Sequence, residues 1–132
     1  MTQVSKYPLK KEVEHELFSL FWNSISDLRT KSSVSEFFSD LLTDTEEIML
    51  AKRFAVAILL FQGKKPIDIA MSIHVSYSMI RGVSSWLDRA TPNTIDLLER
   101  VVKHQAWQSI ADSLDESIDL LPPRRGSDWT RV

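Results

Sequence analysis

Histidine, which can act as a catalytic base or a metal ligand, is sparse and widely spaced in this 132-residue chain. The three histidines, His15, His74 and His104, stand far apart, and the sequence has no cysteine, no glycine-rich phosphate loop, no H-E-x-x-H and no G-x-S-x-G. Such motifs matter because a nucleophile and its base, or the ligands of a metal, must lie within bonding reach of one another. We therefore expect a protein that is not an enzyme and that uses no metal or other cofactor.

One group of acidic residues, Asp44, Glu46 and Glu47, has the chemistry to hold a cation or exchange protons. The order T-D-T-E, however, is typical of a capping box, in which the Thr43 hydroxyl and the Glu46 carboxylate each accept a hydrogen bond from the other residue's backbone. Carboxylates are also stabilised in the positive first turn of a helix. We interpret this group as the start of a helix.

His74 presents a similar choice between a chemical and a structural role. It has the imidazole that a base or a metal ligand needs, but it lies in a three-residue turn between two short predicted helices. Histidine adopts a positive φ more readily than bulky side chains do. We therefore interpret His74 as a turn residue.

The polar residues with the clearest role surround that turn. A short helix is predicted from Pro66 to Ile73, and Ser76 can cap a second helix with the sequence YSMIRGVSSWLDRA. Ile80, Val83 and Leu87 give this second helix an apolar face that can hold it on the domain, so that the opposite face can enter a DNA major groove. The pattern predicts a helix-turn-helix over about residues 66–89.

The candidate DNA contacts combine hydroxyl groups with cations near the start and on the outer face of the second helix. Helix N-termini favour phosphate, and hydroxyl and guanidinium donors can reach base edges or the DNA backbone. The predicted contacts are Lys64, Lys65, Ser76, Tyr77, Ser78, Arg81, Ser85 and Arg89.

The charge of the chain limits how strongly it can attract DNA. The net charge is −2 and the pI is about 5.9, so no strongly basic field surrounds the whole protein. The segment from Leu60 to Ala90 contains four basic and two acidic residues, which gives it a local net charge of +2. DNA binding must therefore depend on this segment.

Composition and periodicity predict an all-α fold, since three glycines and five prolines are too few for a sheet with many tight turns. Seven helices are predicted. The first three run over 12–28, from a serine cap (Ser32, Ser33 or Ser35) to Leu42, and over 44–62, where Gly63 ends the helix. The other four run over 66–73, from Tyr77 to about Ala90, from Pro92 onward, and from Trp107 to Leu121. The predicted core face of the third helix is Ile48, Leu50, Ala51, Phe54, Ala55, Ile58, Leu59 and Phe61.

The first predicted helix has an unusually wide apolar face. Its apolar residues are Leu17, Phe18, Leu20, Phe21, Trp22, Ile25 and Leu28. This face is almost too wide for a single surface helix of a small monomer. A helical partner is therefore expected, such as a second copy of the chain.

The chain divides by composition into four predicted segments. They are a flexible arm over 1–10, a helical domain over 11–103, an additional C-terminal helix over 104–121 and a flexible tail over 122–132. The N-terminus lacks the apolar stretch of a secretory signal, and no segment approaches the ~18 apolar residues that span a bilayer. With no cysteines, these features lead us to expect a cytoplasmic protein that does not interact with membranes.

The segments DLLTDTEEIMLAKRF and FQGKKPIDIAMSIHVSYSMIRGVSSWLDRA resemble the Trp repressor superfamily, and most closely its YerC/YecD-type relatives. The similarity extends over about 37–102. In that family, D-L-L-T opens a long helix, a basic residue follows about ten positions later, a glycine ends the helix and a helix-turn-helix comes next. Thr43, Arg53, Gly63 and the segment HVSYSMIRGVSSWL occupy those places here.

The resemblance implies a Trp repressor-like helical domain that forms an intertwined homodimer. It further implies a repressor-like transcriptional regulator that binds double-stranded DNA at a palindromic operator. Thr43 and Arg53 match positions of the family's co-repressor pocket, but the second pocket arginine aligns with Gly82. Arg81 therefore lies one residue out of register, a rotation of ~100° on a helix. An effector site at Thr43, Arg53 and Arg81 for L-tryptophan or another small molecule is the less favoured expectation.

The alternative is a non-enzymatic helical protein-interaction module. In that interpretation the helix-turn-helix is structural, and the helix from Trp107 to Leu121 docks a protein partner. The acidic residues of this helix, Asp112, Asp115, Glu116 and Asp119, favour such a role, although a solvated outer face explains them equally well.

Overall fold

The computed structural model describes residues 7–119, with side chains as far as Glu116. This part of the chain contains seven α-helices and no strand, which confirms the predicted all-α fold. The helices are α1 (Lys11–Ser26), α2 (Lys31–Leu41), α3 (Asp44–Phe61), α4 (Pro66–Ile73), α5 (Tyr77–Leu87), α6 (Pro92–Lys103) and α7 (Gln105–Asp119). No helix in residues 7–119 is long and apolar enough to cross a membrane.

The chain forms two compact units, which we call the N-terminal unit (Met1–Met49) and the C-terminal unit (Leu50–Val132). In the N-terminal unit, α1 and α2 contain no buried residue. The rings of Phe21 on α1 and Phe37 on α2 lie 6.4 Å apart, centroid to centroid, and are tilted by 45°. The two helices thus contact each other through aromatic side chains that remain partly exposed.

The C-terminal unit contains the hydrophobic core of the described chain. Within this unit α4 packs against both α5 and α7, and α7 also packs against α6. The buried apolar residues are Val56, Ala57, Ile58, Leu59, Ile69, Ala70, Ile80, Val83, Leu98 and Trp107. The helix-turn-helix and the C-terminal helix therefore contribute to one core.

The predicted core face of α3 is wrong over much of its length. Ile48, Leu50 and Phe54 are exposed, whereas Val56 and Ala57, which the pattern left out, are fully buried. Four successive residues, 56–59, are buried, so they cover about 300° of the helix surface. The sequence pattern was searched for one apolar face of α3. Such a search misses a helix segment that other parts of the protein surround on nearly every side.

The helix ends follow local capping rules, with one correction. The predicted caps of α2, Ser32, Ser33 and Ser35, are wrong. The N-cap residue is Thr30, whose Oγ1 accepts a hydrogen bond from the Ser33 N–H at 3.0 Å. The capping box of α3 is confirmed in both directions. The Thr43 N–H donates to Glu46 Oε1 at 2.9 Å, and the Glu46 N–H donates to Thr43 Oγ1 at 3.2 Å.

The glycine stop after α3 is also confirmed. Gly63 has φ 82°, its N–H donates to the Leu60 carbonyl at 2.9 Å, and the Lys64 N–H donates to the Leu59 carbonyl at 3.0 Å. This pair of bonds is a Schellman motif, which ends a helix with a left-handed residue. Glycine is suited to that conformation because it has no Cβ.

Several predicted segments extend outside residues 7–119. Residues 1–6 of the predicted arm, the continuation of the last helix to Leu121 and the predicted tail over 122–132 all lie there. Within the described residues, α1 spans Lys11–Ser26 rather than 12–28. The division into arm, domain, additional helix and tail stays a prediction.

Candidate nucleic-acid interface

The helix-turn-helix is built from α4, a turn of three residues and α5. His74 begins the turn with φ 60° and ψ 59°, which confirms its predicted positive φ. Its N–H donates to the Ala70 carbonyl at 3.1 Å, so α4 ends in a left-handed cap. The turn thus changes the chain direction with a residue that tolerates this conformation better than most.

A contact from α3 holds the turn from outside the motif. The Lys52 ammonium donates from Nζ to the His74 carbonyl at 3.2 Å, across 22 residues of sequence. This carbonyl lies just past the end of α4, where the helix dipole favours a cation. The sequence analysis missed Lys52 because no local pattern predicts a contact at this separation.

The N-terminus of α5 carries the predicted cap. Ser76 Oγ accepts from the Met79 N–H at 3.1 Å, and Ser76 is exposed. A hydroxyl has one hydrogen and two lone pairs, so accepting this bond leaves its O–H able to donate. Ser76 can therefore cap α5 and also donate to a phosphate oxygen.

The two faces of α5 differ in the way that a DNA-reading helix requires. Ile80 and Val83 are buried, and the remaining inward residues, Trp86 and Leu87, are half-buried. The opposite face carries exposed side chains at Ser78, Arg81 and Ser85, while Tyr77 is half-buried and has a partner of its own. One face of α5 is thus used for packing, and the other is open to solvent.

The cations predicted as DNA contacts are exposed. Lys64 and Lys65 precede α4 in the sequence, and Arg89 follows α5. Asp88 is exposed nearby in sequence and reduces the local positive charge. The arrangement offers donors to phosphates, and in residues 7–119 no group of three acidic or histidine side chains is placed to hold a metal.

The C-terminal helix α7 is part of the support of the helix-turn-helix. Trp107 is only 4% exposed and lies in the core, where its Nε1 donates to Gln62 Oε1 at 3.1 Å. Because α7 packs against α4, the first helix of the motif is held by both α5 and α7. Trp107 begins the helix that the alternative interpretation assigned to partner docking, and its side chain lies in the core.

The other feature of α7 that was predicted to dock a protein is its acidic residues. Asp112, Asp115 and Glu116 are exposed, as a solvated face also requires. No described feature identifies a protein partner, so docking through α7 stays a prediction.

The residues predicted to bind an effector belong to different units of the chain. Thr43 belongs to the N-terminal unit, and its hydroxyl caps α3. Arg53 and Arg81 are both exposed and belong to the C-terminal unit. An effector site made by these three residues stays a prediction.

The comparison with family models gives one match, to the Trp repressor protein family, over residues 16–102. The matched stretch begins within α1, contains the whole helix-turn-helix and ends within α6, so α7 lies outside it. No curated protein and no solved structure matches the chain at a significant level. Because the match covers most of the chain, the protein belongs to the Trp repressor family of DNA-binding helix-turn-helix transcription regulators.

Proposed function

We propose that this protein is a sequence-specific, repressor-like regulator that binds a palindromic operator as a homodimer. The observation that carries the proposal is the two-sided α5: Ile80 and Val83 are buried, while Ser78, Arg81 and Ser85 stand exposed on the opposite face. A helix with these properties can lie in a major groove while its domain stays packed. The resemblance to YerC/YecD-type proteins that the sequence analysis predicted is part of the proposal.

The proposed contacts divide by their chemistry. Arg81 is the residue best suited to base edges, because its guanidinium can donate two parallel hydrogen bonds to guanine. Ser76 and Tyr77 at the helix N-terminus are suited to phosphate. The remaining proposed contacts to the DNA backbone are Lys64, Lys65, Ser78, Ser85 and Arg89.

A dimer would compensate for the weak charge of one copy. The local net charge of +2 gives a single helix-turn-helix little electrostatic affinity, since phosphate neutralisation supplies much of the binding energy. Two linked motifs that bind half-sites about one DNA turn apart gain affinity through effective concentration. The exposed apolar residues of the N-terminal unit also support a second copy as their cover.

The test is selection of bound fragments from a random DNA pool, followed by competition binding at two salt concentrations. We expect an enriched palindrome, and we expect an affinity that falls steeply with salt. Arg81→Ala should weaken binding to that site by about 1–3 kcal/mol, a factor of about 5–150 in Kd. Arg29→Ala removes the same exposed charge between α1 and α2 and is the matched control.

Two results would contradict the proposal. The first is a pool in which no sequence is enriched. The second is an equal loss of affinity in the Arg81→Ala and Arg29→Ala variants, because net charge alone would then account for binding.

The proposal also includes a small-molecule effector and a cytoplasmic location. Thr43, Arg53 and Arg81 are the proposed effector residues, with L-tryptophan as the first ligand to test. Thermal shifts across a panel of amino acids measure this directly, because a ligand that binds the folded protein raises Tm. The absence of cysteines supports a reducing compartment such as the cytoplasm.

A further inference from the structure

One backbone carbonyl in the turn of the helix-turn-helix has no partner on the backbone of residues 7–119. The His74 N–H donates to the Ala70 carbonyl at 3.1 Å, but the His74 carbonyl lies beyond the end of α4 and accepts from no backbone N–H of those residues. The Lys52 ammonium donates to this carbonyl from Nζ at 3.2 Å. A hydrogen bond from a charged donor is roughly twice as strong as one between neutral groups. Lys52 thus fixes the orientation of the peptide group that joins His74 to Val75.

Lys52 reaches the turn from a well-supported part of α3. Its side chain is half-buried, and Val56, one helical turn later on the same face, is fully buried. Packed cores resist small displacements, so the backbone that carries Lys52 is held in place. The bond therefore joins the turn to the core of the C-terminal unit.

The turn sets the angle at which α5 leaves α4. His74 lies two residues before Ser76, the N-cap of α5. Ile80 and Val83 hold one face of α5 on the core, and α5 packs against α4, the helix on the other side of the turn. A change in the backbone of the turn therefore tilts α5 relative to α4, and the bond from Lys52 opposes such a change.

Contacts to base edges and contacts to phosphates differ in their sensitivity to this tilt. Arg81 lies five residues after Ser76, so a tilt of about 10° at the start of α5 displaces its backbone by about 1 Å. Donor–acceptor distances in hydrogen bonds vary by only about 0.5 Å, so this displacement breaks a paired contact with a base. The flexible lysine side chains that contact phosphates can follow it. A loosened turn should thus weaken binding to a specific site more than binding to DNA of any sequence.

We infer that Lys52 is a positioning residue for the reading of DNA sequence. It acts through the His74 carbonyl, which it holds so that α5 meets the base edges at one angle, and it makes no contact with DNA itself. The inference rests on the operator binding of the proposed function. It adds a residue outside the helix-turn-helix that determines how well the operator is distinguished from other DNA.

The test compares four full-length chains, namely the wild type, Lys52→Met, Lys52→Arg and Lys103→Met. Methionine keeps most of the stem of Lys52 but has no ammonium, and arginine restores a charged donor. Lys103 is exposed at the end of α6 in the same unit, so Lys103→Met removes the same charge at a position remote in sequence from the turn. Kd is measured at several salt concentrations for the operator enriched from the random pool and for a scrambled duplex of the same composition.

We expect Lys52→Met to weaken operator binding by about three- to tenfold and to bind the scrambled duplex as Lys103→Met does. Lys52→Arg should recover most of the lost discrimination. A loss that Lys52→Arg shares in full would overturn the inference, because a charged donor would then not be what the turn requires. Equal weakening for both duplexes, with a slope of log Kd against log salt smaller by about 0.9 than in Lys103→Met, would mean that Lys52 contacts a phosphate directly.

A measurement on the free protein tests the bond without DNA. The carbonyl carbon resonance of His74 reports its hydrogen bonding, so it should shift in Lys52→Met and in Lys52→Gln, a second variant without the ammonium, but not in Lys103→Met. An unshifted resonance in both Lys52 variants would contradict the inference. A pool with no enriched sequence overturns the proposed function and this inference with it, whereas an operator that all the variants distinguish equally well overturns the inference alone.

Discussion

Apolar residues of the N-terminal unit and of the C-terminal unit differ sharply in their exposure. In the described part of Met1–Met49 no residue is buried, and Leu17, Phe18 and Trp22 are each more than half exposed. All the buried apolar side chains of residues 7–119 belong to the C-terminal unit. Amphipathic helices therefore occur in both units, but a core covers their apolar faces in only one of them.

The comparison shows what an apolar pattern specifies. In α5 the apolar face meets α4 and the core, and the polar face is open to solvent. In α1 a wider apolar face has no cover within a single chain's N-terminal unit. An apolar pattern thus indicates that one face of a helix is to be covered. The neighbouring helices determine what covers that face. Four predictions test this contrast.

The largest effect is expected for Trp107→Ala in the C-terminal core. Removing this buried ring leaves a cavity and deprives Gln62 of its donor, so we expect the free energy of unfolding to fall by about 3–5 kcal/mol. Urea unfolding followed by circular dichroism measures the change. Gln108→Ala, on the same helix but exposed, should stay within about 0.5 kcal/mol. A loss below about 1 kcal/mol for Trp107→Ala would mean that α7 is an appendage rather than part of the core.

The second prediction concerns Phe18→Ala on α1. In a single chain Phe18 is 53% exposed, so its removal should cost little unless another molecule covers it. We expect the covered ring to contribute about 1.5–3 kcal/mol to stability, and we expect Tm to rise with protein concentration. Ser19→Ala is the adjacent control. A Tm that is independent of concentration, with Phe18→Ala neutral, would show that the N-terminal unit is stable without a partner.

The third prediction compares one helix cap from each unit. Thr30 caps α2 at 3.0 Å and Thr91 caps α6 at 3.4 Å, both through Oγ1 to the backbone N–H three residues later. Replacing either by alanine should cost about 1 kcal/mol in a common unfolding transition. If the main transition responds to Thr91→Ala but not to Thr30→Ala, the units unfold independently. Chemical denaturation of both variants decides between these outcomes.

The smallest effect is expected for Gly82→Ala on the outer face of α5. A Cβ at this position meets no atom within 4 Å, so alanine fits, and we expect stability to rise by about 0.5–1 kcal/mol through the better helix propensity. Gly63→Ala is the matched control, because Gly63 has φ 82° and should lose stability on substitution. Thermal unfolding measures both changes. A loss of stability in Gly82→Ala would mean that this face of α5 is covered rather than open.

Sequence reasoning anticipated the functional region better than it anticipated the core. The bounds of α4, the Ser76 cap and the positive φ of His74 followed from residue types and their spacing. By contrast, the exposed Ile48 and the buried Val56 were both missed on α3. The helix-turn-helix is defined by local rules, whereas burial on α3 depends on which other helices surround it.

Two long-range hydrogen bonds, one at the turn of the helix-turn-helix and one in the core, illustrate the limit most clearly. The bond from Lys52 to the His74 carbonyl joins residues 22 positions apart, and the bond from Trp107 to Gln62 joins residues 45 positions apart. Lys52 belongs to a helix that the sequence predicts correctly, but nothing in its neighbourhood marks it as a support of the turn. Predicting such pairs requires the packing of the helices to be known first.

By itself the sequence determined which residues form the helix-turn-helix, and it located the other helices to within a few residues of their ends, although α5 ends at Leu87 rather than at about Ala90. These features depend on hydrogen bonds and backbone preferences within about five residues, as in the Thr43–Glu46 capping box and the Gly63 stop. Only the tertiary structure decided that α7 packs against α4 and that Val56 and Ala57 of α3 are buried. Burial is a property of neighbours in space, and residues distant in the chain become neighbours only when the helices pack.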